Sequence, residues 1–307
     1  MKKYSRRDVT KMMACFSAGA VVSPTLLSFQ EGSMIRRKIP SSGESLPVVG
    51  LGTWQSFDVG NDLSSRITLK KVLTHMKAYG GKCIDSSPMY GSSEEVVGDL
   101  TSELQIQDNF FYATKVWTSG KQSGIDQMHT SMERMNRKRM DLMQIHNLVD
   151  WKTHSKTLRD WKERGKISYW GITHYTNSSH DTLAKIIKSE KPDFVQFNYS
   201  INQRNAEKSL LRVAKENKTA VLINRPYDGG SLFSSTRGKE LPDWCKDLKI
   251  SSWGQFFLKY ILSNDAVNCV IPGTSKPHHM IDNMKAGMGV LPTETIKKKM
   301  IRYLEDL

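Results

Sequence analysis

The sequence predicts an α/β fold, a closed (β/α)8 TIM barrel with an N-terminal β-hairpin. Short apolar, β-branched runs recur eight times along the 307 residues, and segments of helical character separate them. No G-x-G-x-x-G follows any of those runs, which disfavours the alternative, an open doubly wound sheet. Alternating strand and helix implies a parallel sheet. Eight such units in roughly 260 residues match a barrel.

Residues 1–31 read as a leader and residues 32–307 as the barrel domain. Lys2, Lys3, Arg6, Arg7 and Lys11 precede a mildly apolar stretch from Met12 to Leu27, the order of an export signal. Ser5-Arg6-Arg7-Asp8-Val9-Thr10-Lys11 resembles a twin-arginine signal, with Val9 and Thr10 where a large apolar pair is more usual. A frayed basic helix is the alternative. Ala18-Gly19-Ala20 fits a small-residue cleavage pattern but leaves a very short apolar core before it, so the cleavage position stays open. The expected location is the periplasm, reached with only transient membrane contact; the alternative is the cytoplasm.

Met34 to Pro40 and Ser45 to Val49 flank a Ser41-Ser42-Gly43-Glu44 turn, which predicts the hairpin. The barrel strands follow at Val48–Thr53, Cys83–Ser87, Phe111–Val116, Leu142–His146, Tyr169–Thr173, Phe194–Asn198, Ala220–Asn224 and Val267–Pro272. Helical segments include Ile67–Tyr79, Gly124–Met135, Lys152–Arg164, His180–Ser189 and a final one near Glu294–Leu304. Several close on glycine or a basic residue, as in Glu163-Arg164-Gly165.

Composition narrows the function. A hydrophobic content of 38% supports a buried core, and no run approaches the roughly 20 apolar residues of a membrane span. The formal charge of +14 is scattered, as in Lys162-Glu163-Arg164-Gly165-Lys166 and Lys297-Lys298-Lys299. Without a dense patch interleaved with aromatics it reads as a solvated surface rather than a nucleic-acid site. Outside the leader, Cys83, Cys245 and Cys269 cannot all pair and show no metal spacing. They read as buried small hydrophobes.

Barrel enzymes place their chemistry at the carboxyl ends of the strands. The second strand ends at Asp85 with Tyr90 in its loop, the third at Lys115, the fourth at His146. An acid, a phenol, an ammonium and an imidazole thus reach one rim. A lysine inside a core-like strand is costly unless paired, and Asp85 on the adjacent strand is the obvious partner. A plain Asp–Lys ion pair explains two of the four and leaves Tyr90 and His146 as coincidences. A metal-dependent hydrolase needs more strand-end ligands than Asp85 and His146.

Six stretches, in order, carry a wider likeness: Leu51-Gly52-Thr53-Trp54, Ile84 to Glu94, Thr114-Lys115-Val116-Trp117, Asp141 to Asn147, Phe194 to Tyr199, and Ile271 to Asn283. Together, from about Ile35 onward, they resemble the aldo-keto reductases. The resemblance implies a barrel that binds extended NADPH/NADP+ without a Rossmann fold and acts on a small-molecule carbonyl as a monomer. It sets Asp85, Tyr90, Lys115 and His146 at the family's catalytic tetrad. Ser275, Lys276 and the stretch to His279 then meet the adenosine 2′-phosphate, with Asn283 near the adenine. Gln196 holds the nicotinamide amide, Thr173 and His174 stand where a Ser-Asn pair is frequent, and Arg225 faces the pyrophosphate. Trp54 and Trp117 line the substrate pocket, with core packing as their alternative.

Residue chemistry gives the tetrad its roles. Reduction leaves negative charge on the carbonyl oxygen, and Tyr90 supplies a proton to it. A free phenol has a pKa near ~10; Lys115 beside it favours phenolate and lowers that value. Asp85 neutralises Lys115, and a neutral His146 hydrogen-bonds the carbonyl oxygen. The rival from another class is a cofactor-binding regulatory barrel with little turnover.

Overall fold

The computed structural model describes residues 32–307; the predicted leader lies outside the described residues. Arg36–Lys38 (β1) pairs antiparallel with Ser45–Pro47 (β2), Arg37 opposite Leu46. The turn between them carries Gly43 at φ 78°, a conformation open to glycine. The predicted hairpin is therefore present.

Eight parallel strands follow in sequential order: Leu51–Gly52 (β3), Cys83–Asp85 (β4), Phe111–Val116 (β5), Met140–His146 (β6), Ile167–Thr173 (β7), Phe194–Asn198 (β8), Ala220–Asn224 (β9) and Cys269–Val270 (β10). Parallel bridges from Val49 to Val270 and from Gly52 to Gly273 join first to last, so the sheet closes. The seam strands are shorter than the sequence runs Val48–Thr53 and Val267–Pro272. Backbones are pinched there: a Cβ on Gly50 would lie 2.5 Å from the carbonyl oxygen of Cys83. Pro272 also has no N–H to extend a ladder.

The helices between strands include Leu63–Ala78 (α1), Ser93–Glu103 (α2), Lys121–Arg134 (α3), Trp151–Glu163 (α4), His180–Glu190 (α5) and Leu210–Glu216 (α6). α1 starts ahead of the predicted Ile67 because the Asp62 carboxylate accepts from the Ser65 N–H at 2.8 Å, an N-cap worth about 1 kcal/mol. After β9 a long connection holds the short Ser231–Ser235 helix (α7) and Trp253–Leu262 (α8). Pro277–Ala286 (α9) and Glu294–Glu305 (α10) complete the chain.

Strand alternation builds the interior in layers. At the base, inward residues are apolar: Cys83, Phe111, Leu142, Phe194, Leu222 and Cys269 share one buried cluster, which Ile39 and Leu46 of the hairpin region join. Two or four residues further along the same faces the inward side chains turn polar, at Asp85, Lys115, Gln144, His146, Thr173 and Gln196. That upper layer carries the site. Cys83, Cys245 and Cys269 are buried free thiols, as the sequence predicted.

Candidate active site

Lys115 is fully buried near the end of β5. Its ammonium donates to Asp85 Oδ2 and to the Ser86 carbonyl, both at 2.6 Å. Asp85 Oδ1 accepts from the amides of Gln144 at 2.9 Å and Gln196 at 2.8 Å. Four strands therefore converge on one carboxylate. Glu94 holds β5 from the outer side: fully buried on α2, it accepts from the hydroxyls of Thr114 and, at 3.1 Å, Ser131. Burial raises the Glu94 pKa, and those hydroxyls oppose the rise.

Tyr90 sits in the loop after β4 with its ring centroid 4.9 Å from the Lys115 ammonium and 5.8 Å, edge-on, from the His146 ring. The four residues meet within one chain. Burial pulls the Lys115 pKa down, but Asp85 and then Tyr90 outweigh it, and the group stays cationic with a raised pKa. Tyr90 departs from the sequence expectation. Burial raises its phenol above the ordinary value, and Lys115 offsets only part of that rise. Lys115 thus keeps a desolvated phenol usable rather than making it unusually acidic. His146 is pushed down to about 2 by burial first, then by Lys115 and His174. It is neutral at physiological pH.

A cavity of about 850 Å3 opens over this layer, within the range of small-molecule sites. Of the residues predicted to bind ligands, Trp54, Thr173, Gln196, Arg225, Ser275, Lys276 and His279 line it, beside Asp85, Tyr90 and His146. Three others do not, and two of them are held by local hydrogen bonds. The ring nitrogen Nδ1 of His174 accepts from the N–H groups of Tyr175 at 3.0 Å and Thr176 at 3.3 Å, so this side chain braces its own turn. Asn283 is buried on α9 and accepts from the Tyr227 hydroxyl at 2.5 Å. Trp117 stands outside the wall, 41% exposed, its ring 6.3 Å from that of His146.

Gln196 is also more committed than its sequence position implies. Its amide donates to Asp85 and, at 3.1 Å, to Gln144, while its carbonyl accepts from Asn224 at 3.2 Å. Arg225, at φ 49°, leads the chain out of β9, and its guanidinium lies 5.9 Å from the centre of the Tyr175 ring. On the far rim Lys276 precedes α9, and its N–H donates to Thr274 Oγ1 at 3.0 Å. Burial, then His278 and Lys276, hold His279 below its ordinary value. The positive charge of that rim is therefore mainly Lys276.

Several residues of the site were not singled out from the sequence. Gln144 stands two residues before His146 and Ser87 two after Asp85, so inward alternation could have named both. Tyr175, Tyr227 and Phe233 come from loops whose path carries no periodic signal.

A profile described as the Aldo/keto reductase family matches residues 48–300. The chain is 26% identical over 203 residues to aldo-keto reductase YhdN of Bacillus subtilis (strain 168), spanning 60% of each chain. It is 29% identical over 147 residues to D-arabinose 1-dehydrogenase of Saccharomyces cerevisiae, spanning 43% of this chain and 44% of that one. The chain thus matches less than two thirds of the length of either relative. An aldo-keto reductase from Klebsiella pneumoniae, solved in complex with NADPH, superposes with a TM-score of 0.72 at 19% identity, over 88% of this chain and 96% of that one. The holo form of an aldo-keto reductase from Bacillus halodurans gives 0.71 at 19% identity over the same shares. At that identity the likeness carries the fold, while the profile match spans most of the chain: this protein belongs to the aldo/keto reductase family.

Proposed function

We propose that this protein is an oxidoreductase that reduces aldehydes or ketones with NADPH. The observation that carries this reading is the convergence of Tyr90, Lys115, Asp85 and His146 beneath one cavity that extends to Lys276. The residues fit the cofactor. Oδ1 of Asn224, a cavity residue, is buried without a hydrogen-bond partner, so the wall has an acceptor to offer a carboxamide N–H. Lys276 and Ser275 lie just before α9, where a cation and a helix N-terminus favour a phosphate. Gln196, Thr173 and Arg225 line the stretch between. The solved relative from Klebsiella pneumoniae carries NADPH, which supports the same choice.

When bound, NADPH supplies a hydride to the carbonyl carbon. Tyr90 donates its phenolic proton to the carbonyl oxygen as the C=O double bond opens, leaving phenolate. Lys115, whose ammonium lies 4.9 Å from the centre of the Tyr90 ring, stabilises that phenolate, and water returns the proton. Asp85 keeps Lys115 charged and in place. His146, neutral, donates a hydrogen bond to the same oxygen. A monomer suffices, because all four residues meet within one chain.

Apolar groups share the cavity with Tyr90: Trp54 is 52% exposed and Met89 38%, and both line it. Uncharged, apolar substituents on the carbonyl are favoured there. The test is a panel of apolar and carboxylated aldehydes assayed by steady-state NADPH and NADH oxidation. The expected result is turnover with the apolar members and preference for NADPH. Cofactor binding without turnover across the panel would instead support a regulatory barrel.

The location proposed for this enzyme is the periplasm, reached in folded form through the twin-arginine-like leader. A non-covalent dinucleotide is best loaded in the cytoplasm, and export of a folded chain preserves it. Changing Arg6 and Arg7 together to Lys is expected to retain active enzyme in the cytoplasm. Cell fractionation checks this; an unaltered protein that stays cytoplasmic with its N-terminus intact overturns it.

A further inference from the structure

We propose that Ser87 is a positioning residue that sets the tautomer of His146: its hydroxyl donates to Nδ1 and leaves Nε2–H as the ring's hydrogen-bond donor. Ser87 is fully buried, two residues beyond Asp85, and its Oγ lies 2.9 Å from His146 Nδ1. The Met89 N–H donates to the same oxygen at 3.4 Å. A serine hydroxyl has one proton to give and lone pairs with which to accept. Met89 occupies an accepting position, and the ring nitrogen is the acceptor within reach of the Ser87 proton. If Nδ1 carried the hydrogen instead, Ser87 would receive two donors and its own fully buried proton would have no acceptor. Buried hydroxyls left unmet in that way are disfavoured.

The neighbours hold the ring in this orientation. Tyr90 stands edge-on to it at 5.8 Å and Trp117 lies 6.3 Å away, and a 180° ring flip would put carbon Cδ2 where Nδ1 now meets the Ser87 hydroxyl. A neutral imidazole has one donor and one acceptor nitrogen. A carbonyl oxygen only accepts, so the tautomer decides whether His146 attracts it or presents a lone pair to it. Ser87 thereby selects the useful form without touching substrate. This consequence rests on the reductase reading, whereas the tautomer itself can be observed in the free protein.

The experiment is long-range 1H–15N NMR of the full chain labelled with 15N-histidine. The His146 signals are assigned by their loss in His146→Asn. The expected wild-type pattern is a protonated Nε2 and an unprotonated Nδ1 shifted by the serine hydrogen bond. In Ser87→Ala the Nδ1 resonance moves toward that of an unbonded ring nitrogen and a share of Nδ1–H form appears. Turnover falls roughly three- to tenfold, the scale of one lost hydrogen bond, and Ser87→Thr restores both. A wild-type spectrum with the proton on Nδ1 overturns the proposal without any variant. So does a Ser87→Ala spectrum and turnover that match wild type. Failure of NADPH oxidation in the wild type counts against the reductase reading and leaves the NMR result to stand alone.

Discussion

Replacing Tyr90 with Phe is expected to lower carbonyl reduction by at least ~100-fold, the scale of general acid–base catalysis, while NADPH binding survives. The exchange removes one oxygen and keeps the ring that packs edge-on to His146 at 5.8 Å. No hydroxyl of comparable placement stands in for it. The Ser87 hydroxyl is engaged with His146 and the Lys115 ammonium with Asp85 and the Ser86 carbonyl. Fluorescence titration with NADPH and steady-state turnover on one preparation separate binding from chemistry. Turnover within a few-fold of wild type would show that another group delivers the proton.

Lys115→Met is expected to cost both catalysis and fold. Turnover should fall by roughly 100-fold or more, because the phenolate left by proton transfer loses its cation. The pH profiles carry the sign. Burial already raises the Tyr90 phenol, and Lys115 is the main group opposing it; its removal raises the phenol further. Reduction needs the protonated phenol and declines as pH rises through that pKa, so its alkaline limb moves to higher pH. Alcohol oxidation needs phenolate, so it loses most at neutral pH. Stability also drops, by about 3 kcal/mol, because a buried carboxylate loses its ion-pair partner. Adding Asp85→Asn should recover most of that loss. The amide oxygen can still accept from Gln144 and Gln196, as Asp85 Oδ1 does, and no buried charge remains. Denaturant melts and kinetics of the single and double variants check both parts. If the double variant recovers turnover along with stability, Lys115 is structural and its chemical role fails.

The period of the sequence determined the barrel. Eight apolar runs separated by amphipathic segments have few ways to bury both faces of each strand, and strand-end positions then point to Asp85, Lys115 and His146. Alternation along a strand is local, so the strand-borne members of the inward layer were readable too. Tertiary structure decided what depends on the neighbours a side chain meets. Whether Lys115 or burial governs the Tyr90 pKa is a balance of desolvation against charge, and residue order holds no information on depth. The resemblance sets both His174 and Asn283 at the cofactor, yet one braces the turn at Tyr175 and the other receives the Tyr227 hydroxyl. Those partners come from aperiodic loops, whose paths are set by the packing of the whole chain. Ser87 shows the division most plainly: its place two residues beyond Asp85 points it inward, and only the curvature of the barrel, with β5 between β4 and β6, brings its hydroxyl to His146.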